Sequence, residues 1–133
     1  IKECDWSSDV CSSDLTAGGP EKCKLAKEAG CTHVIDYKSE DFVTRVKEIT
    51  GGKLCDVVYD GVGKDTFPGS LDCIKPLGLW VSFGNSSGPV PPFEIGILNT
   101  KGSLYATRPT LFTYTATKET LAANANGLAT VTF

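Results

Sequence analysis

Two glycines and a lysine form the strongest candidate binding site in this sequence. Gly18 and Gly19 precede a proline that suits the first position of a helix, and Lys22 would then lie on the first turn. A lysine ammonium, unpaired backbone N–H groups and the positive end of a helix dipole together attract an anion. The pattern predicts a site for a phosphate-like group, and a solvated helix lysine is the alternative interpretation of Lys22.

Three further loops follow predicted strands, at the edge where open α/β sheets bind their ligands. Two of these loops contain glycine, which allows close approach of a ligand and also simply ends a strand. Tyr37 is ambiguous as a ligand-binding residue because strand tyrosines are often partly buried with a solvent-exposed hydroxyl. Asn85 and Ser86 could serve only as turn residues. The candidate ligand-facing residues of the three loops are Tyr37, Gly61, Val62, Phe83, Gly84, Asn85 and Ser86.

Glycine, proline and helical spacing of apolar residues predict four helices. The first covers residues 20–29, and the second begins after Ser39 as N-cap and ends before Gly51. A third region, 64–74, is interrupted by Pro68, where a helix begins or kinks. The last helix is predicted over 117–128 with Thr117 as its cap.

Short apolar runs between these helices predict parallel strands. Residues 32–37 and 103–107 have strand composition, while 55–60 and 79–83 are apolar enough to be buried on both faces of a sheet. Residues 16–19 are too flexible for a strand interior, and 76–78 are predicted to form a turn. Strands that alternate with helices predict an α/β fold, an open parallel sheet with helices on both faces.

The residues that most often carry catalysis or metal binding are sparse. His33, the sole histidine, is expected to be a partly buried spectator at a strand start. Four cysteines beyond residue 15 form no CxxC and no close Cys/His pair, so buried thiols in a reducing cytosol are expected rather than a structural zinc site. No apolar run is long enough to span a bilayer.

Residues 1–15 resemble one reading frame of a common sequencing adapter and are excluded from fold reasoning. We expect this segment to be disordered or poorly packed, with the native chain beginning near Thr16. Residues 16–133 carry 12 acidic and 12 basic side chains, so this part is neutral. Because it also lacks a basic cluster, neither nucleic acid nor an anionic membrane is an expected partner.

Six runs along the chain share their order and residue types with one family of reductases. They lie at residues 29–37, 50–52, 57–67, 70–73, 81–88 and 101–105. Together they resemble the zinc-independent quinone oxidoreductases of the medium-chain dehydrogenase/reductase superfamily, most specifically in Ser-Phe-Gly-Asn-Ser-Ser-Gly and Lys-Gly-Ser-Leu-Tyr. The resemblance implies a cytosolic homodimer that uses NADPH to reduce quinones without a metal. Residues 16–128 would supply part of a Rossmann-type doubly wound sheet, truncated at both ends, and 129–133 its carboxy-terminal end.

The resemblance also implies a role for each loop. In Rossmann domains, an acid at the end of the second strand holds the ribose of NAD, whereas a cation admits the 2′-phosphate of NADP. Gly18, Gly19 and Lys22 resemble the 2′-phosphate pocket, to which Tyr37 contributes in relatives. Gly61 and Val62 match positions facing the adenosine. Phe83, Gly84, Asn85 and Ser86 match the positions on the nicotinamide side. Thr107 and Arg108 match the segment that returns toward the cleft, and a structural ion pair explains Arg108 nearly as well.

Parts that the resemblance implies have no counterpart in this sequence. They are the glycine-rich pyrophosphate turn, the amino-terminal catalytic domain and the last strands, so we assign no catalytic residue. We expect the chain to be inactive alone and poorly soluble, because an incomplete sheet exposes an unpaired edge. The alternatives are another medium-chain reductase, acting on enones or enoyl thioesters, and a non-catalytic structural or RNA-binding relative.

Overall fold

Helices and strands alternate through most of the chain in a computed structural model that describes residues 14–129. The elements in chain order are β1 Asp14–Ala17, α1 Pro20–Glu28, β2 His33–Asp36, α2 Phe42–Ile49, β3 Cys55–Asp60, α3 Gly69–Asp72, β4 Ile74–Ser82, α4 Gly96–Thr100, β5 Tyr105–Thr107, α5 Leu111–Tyr114 and α6 Lys118–Ala129. Among these helices, none has the length and apolar composition to cross a membrane.

All strand pairs are parallel, as the alternation of elements predicts. β1 pairs with β2 in a two-stranded sheet, and β3, β4 and β5 pair in that order in a second sheet. The register puts Ala17 beside Asp36 and Asp60 beside Ser82. The loops that follow paired strands therefore emerge side by side.

Two hydrophobic clusters hold these elements together. Leu71, Ile74, Trp80 and Leu104 form one cluster, and Ile35, Val46 and Cys73 form the other. The second cluster joins β2 and α2 to the second sheet. A groove of about 360 Å³ runs between the two sheets, lined on one side by β1 and on the other by β3.

The first strand corrects two expectations. Residues 16–19 were expected to be unsuited to a strand interior and residues 1–15 to be disordered, yet Asp14 and Leu15 pair with His33 and Val34. The strand forms because it pairs with β2, 19 positions further along the chain in this register. This pairing satisfies the backbone hydrogen bonds and leaves no local pattern in the sequence. Residues 1–13 lie outside the described residues, so the rest of that expectation stays untested.

Two helices differ from their predicted limits or caps, and two further helices were not predicted. Asp41 rather than Ser39 caps α2, because its carboxylate accepts from the Val43 N–H at 3.2 Å. The region 64–74 is helical only over Gly69–Asp72, so the helix begins after Pro68, where the sequence allowed it to begin. The short helices α4 and α5 were not predicted. The limits of α1 and α6 are confirmed to within one residue, and Thr117 caps α6 as predicted.

The strands of the second sheet also differ in part. β3 has the predicted limits, but Tyr59 is 54% exposed, so this strand is not buried on both faces. β4 begins at Ile74 and contains the predicted turn 76–78 as an irregularity, in which Leu77 has a φ of 63°. The strand continues beyond this turn because its pairing with β3 resumes at Leu79.

Cys73 should resist alkylation in the folded chain. It is 3% exposed, and burial raises the pKa of its thiol to about 12. Since the thiolate is the nucleophile, we expect iodoacetamide at pH 8 to modify Cys73 at least about a hundredfold more slowly than the partly exposed Cys23 and Cys31. Peptide mapping by mass spectrometry measures the rates, and urea should equalise them. Equal rates in native buffer would contradict the burial.

Candidate functional site

Gly18 and Tyr37 come together at the carboxyl end of the first sheet. The Tyr37 hydroxyl lies 2.8 Å from the position that a Cβ on Gly18 would occupy, and the Lys38 Cε lies 3.1 Å from it. The Tyr37 N–H donates to the Ala17 carbonyl at 3.2 Å, which continues the pairing of the strands into their loops. Only a residue without a side chain leaves the tyrosine in this place.

Asp36 holds the loop between β1 and α1. Its Oδ1 accepts from the backbone N–H of Gly19 at 3.0 Å and of Lys38 at 3.1 Å. The Lys38 N–H is the largest cause that holds the pKa of Asp36 below its usual range; partial burial opposes it, while the Gly19 N–H and the Lys38 ammonium act with it. The sequence places this acid at the end of β2 without indicating its role, because the loop that it holds follows a different strand, β1. Its signal was an aspartate at a strand end, which often accepts from an N–H two residues on.

Lys22 lies on the first turn of α1 with an exposed side chain. Gly19 is the N-cap of this helix; its φ of 111° falls in the left-handed region that favours glycine, and no side chain caps the helix. The N–H groups of the first turn have no acceptor within the helix. Lys22 therefore lies on the first turn of a helix, as the sequence predicts, and its role as an anion ligand stays a prediction.

Asp60 organises the loop after β3. It is 4% exposed and accepts from the Val62 and Gly63 N–H groups, both at 2.9 Å. The Thr66 hydroxyl donates to both of its carboxylate oxygens at 3.0 Å, and the Ser70 hydroxyl donates to Oδ2 at 2.8 Å. This carboxylate fixes the path of the backbone through Gly61 and Val62. The sequence places Asp60 at the end of a strand without indicating this role.

The loops after β3 and β4 touch through their backbones. A Cβ on Gly84 would lie 2.5 Å from the Gly61 carbonyl oxygen, and one on Gly61 would lie 3.0 Å from the Phe83 ring. The Ser86 N–H donates to the Gly61 carbonyl at 3.2 Å, and the Ser87 N–H donates to the Val62 carbonyl at 2.9 Å. Five of the predicted site residues thus form one continuous surface: Gly61, Val62, Phe83, Gly84 and Ser86.

Arg108 ties this surface to β5. Its Nη1 donates to the Ser82 carbonyl at 2.6 Å, so a backbone contact replaces the ion pair considered from the sequence. With the Asn85 amide oriented to donate to the Gly84 carbonyl at 2.7 Å, its oxygen accepts from Arg108 at 3.3 Å. A cleft of about 610 Å³ opens beside Asn85, Thr107 and Arg108, with residues 89–93 on its far wall.

The predicted site residues thus fall into two groups, one at each sheet. Gly18, Gly19, Lys22 and Tyr37 belong to the first, and the remaining eight belong to the second. His33 is exposed at the start of β2 rather than partly buried, since it lies at the outer end of a short strand. Residues 14–129 contain no group of three or more His, Cys, Asp or Glu side chains arranged to hold a metal ion.

Parallel strands whose carboxyl-end loops approach each other through glycines are the architecture of a Rossmann-type domain. Residues 15–125 match the family model described as zinc-binding dehydrogenase, and the chain belongs to that family.

Individual relatives refine this assignment. The chain is 52% identical over 126 residues to a quinone oxidoreductase of Salmonella typhimurium, covering 94% of this chain and 38% of the relative. It is 46% identical over 100 residues to a 2-haloacrylate reductase of a Burkholderia species, covering 74% and 30%. The crystal structure of Escherichia coli quinone oxidoreductase complexed with NADPH aligns with a TM-score of 0.83 and 54% identity, covering 86% of this chain and 35% of that one. The chain therefore spans about a third of the length of these relatives.

Proposed function

We propose that this chain supplies part of the NADPH-binding domain of an oxidoreductase that reduces quinones. One observation carries the proposal: at the carboxyl end of β1, Gly18 lies under the Tyr37 hydroxyl beside the first turn of α1. In a Rossmann-type fold that end selects between the two nicotinamide cofactors. The likeness to an NADPH-complexed quinone oxidoreductase supports the same interpretation.

The residues of both groups fit such a cofactor. β1 itself ends in Ala17 without an acid, and Lys22 supplies a cation at a helix end, which suits a 2′-phosphate. Gly61 and Gly84 allow the loops after β3 and β4 to pack directly against each other, and this packing shapes the surface along which the cofactor would lie. The adenosine would lie along Gly61 and Val62, and the nicotinamide side along Phe83, Gly84, Asn85 and Ser86, with Thr107 and Arg108 at the cleft. When bound, NADPH supplies the hydride, and these residues hold and orient it.

The longer protein to which we assign this sequence would be a homodimer in the cytoplasm, as the family resemblance implies. Its substrate would be a small-molecule quinone, bound without a metal. A second candidate is a reductase of alkenes conjugated to a carbonyl group, the class that includes enones and enoyl thioesters, because one relative is a 2-haloacrylate reductase. Assays of that longer protein with 1,4-benzoquinone and with 2-chloroacrylate separate the two: whichever compound speeds NADPH oxidation identifies the candidate.

A Lys22→Gln substitution tests the cofactor assignment. We expect the wild-type chain to bind NADPH more tightly than NADH, and the variant to bind NADPH about fivefold to tenfold more weakly with NADH little changed, because one charge-assisted contact to phosphate is lost. Titration calorimetry at low salt measures both affinities. Lys53→Gln is a charge-matched control, since Lys53 lies before β3 at the other end of the strands. A preference for NADH, or no binding at millimolar NADPH, would contradict the proposal.

A further inference from the structure

An acidic side chain lies where the proposed cofactor would carry its additional phosphate. The Asp36 carboxylate bonds to the Gly19 N–H at 3.0 Å, so its charge rests on the loop that leads to Lys22. A phosphate bound at this loop would be repelled by the carboxylate unless a cation offsets one of the two charges. A site that admits a 2′-phosphate here needs such a cation in addition to Lys22.

Lys38 is the cation beside this carboxylate. Its backbone N–H donates to Asp36 Oδ1 at 3.1 Å, and its side chain crosses Gly18, with Cε 3.1 Å from the Cβ position. Its ammonium also contributes to the lowered pKa of Asp36. The same lysine is therefore adjacent to both the acid and the glycine at which the phosphate would approach.

Glu40 and Arg45, which are also close to this loop, pair with each other. Glu40 accepts from the Asp36 backbone N–H at 3.2 Å, and its carboxylate pairs with Arg45, whose Nε lies 3.2 Å from Oε2. Arg45 also pairs with Glu48 on α2. Lys24 and Lys27 line a pocket together with Asp36, but among these lysines it is Lys38 whose charge lowers the pKa of Asp36.

Resting on the proposed NADPH site, we infer that Lys38 is a specificity-determining residue, which offsets the charge of Asp36 so that the loop admits a 2′-phosphate. Asp36 keeps a separate role: its oxygen orders the loop by accepting from the Gly19 and Lys38 N–H groups. An Asp36→Asn substitution would retain that acceptor oxygen and remove the charge. Charge and loop geometry can therefore be varied separately.

A double-mutant cycle of Lys38→Gln and Asp36→Asn tests this role in the full chain. The probes are adenosine 2′-monophosphate and adenosine, which differ only in the phosphate and do not depend on the rest of the cofactor. We expect K38Q to raise the Kd for adenosine 2′-monophosphate about threefold to tenfold with adenosine unchanged, as suits an exposed charge. D36N/K38Q should return to within about twofold of wild type. NMR titration at low salt measures the Kd, and thermal melts check that each variant is folded.

Three outcomes would overturn the inference. One is an unchanged Kd in K38Q; another is an equal loss in K38Q and in the charge-matched K53Q, which would indicate net charge alone. The third is the same loss from K38Q in the wild-type and D36N backgrounds, which would indicate that Lys38 does not act through Asp36. Failure of the proposed function has a different signature, because Lys22→Gln would then also leave the preference for NADPH over NADH unchanged.

Discussion

Replacing Asp60 by alanine is expected to lower the free energy of unfolding by about 3–5 kcal/mol. The substitution leaves two backbone N–H groups and the hydroxyls of Thr66 and Ser70 without their buried acceptor. Each buried donor without a partner costs about 1–3 kcal/mol. The hydroxyls recover part of that by rotating toward other acceptors, such as the Gly63 carbonyl that Thr66 already reaches.

Urea unfolding followed by far-UV circular dichroism measures this change in the free energy of unfolding. Two further variants test whether the change comes from the lost hydrogen bonds. Asp60→Asn keeps one acceptor oxygen, so we expect a smaller loss of about 1–2 kcal/mol. Asp65→Ala removes an exposed carboxylate from the same loop and should stay within about 0.5 kcal/mol of wild type. If D60A were no less stable than D65A, the hydrogen bonds to Asp60 would not order this loop.

Gly84→Ala is expected to lower the free energy of unfolding by about 3 kcal/mol, at the upper end of the range for overpacking. The new Cβ would lie 2.5 Å from the Gly61 carbonyl oxygen and 2.8 Å from the Gly61 Cα. These atoms belong to the backbone, which cannot rotate aside as a side chain can. The two loops must separate, and the Ser86 to Gly61 hydrogen bond at 3.2 Å is lost with them.

Gly96→Ala is the matched control for Gly84→Ala. A Cβ at Gly96, the first residue of α4, would meet nothing within 4 Å, so we expect a change within about 0.5 kcal/mol. Urea unfolding of both variants measures the difference. Equal stabilities would show that the close approach of Gly61 and Gly84 is not required by the fold. We also expect G84A, and not G96A, to weaken nucleotide binding, because the displaced loop carries Asn85 and Ser86.

The elements that sequence reasoning found are those whose signals are local. Pro20 and Gly30 mark the ends of α1, and glycines bound the apolar run of β3. By contrast, β1 forms because it pairs with β2, and no residue within Asp14–Ala17 predicts a strand. Ser39 and Asp41 are both good caps, and only the position of the Val43 N–H decides between them.

The candidate site shows the same division between local and distant signals. The glycine loops and Lys22 could be predicted because glycine, proline and lysine stand next to one another in the chain. The contact between Gly61 and Gly84 joins loops that are distant in sequence, and it depends on the register of β3 and β4. The reach of Asp36 to the Gly19 N–H likewise depends on the register of β1 and β2. Such contacts follow from the sheet and not from residue types.

The backbone bonds that join the loops after β3 and β4 also bear on how quickly a ligand could bind. Both loops are ordered by bonds within the chain: Ser86 to Gly61, Ser87 to Val62 and the four donors around Asp60. The conformational entropy of these loops is therefore lost during folding, and little remains to be lost on association. A nucleotide would therefore bind to a surface that is already ordered. Its association rate should be limited by diffusion and orientation rather than by loop closure.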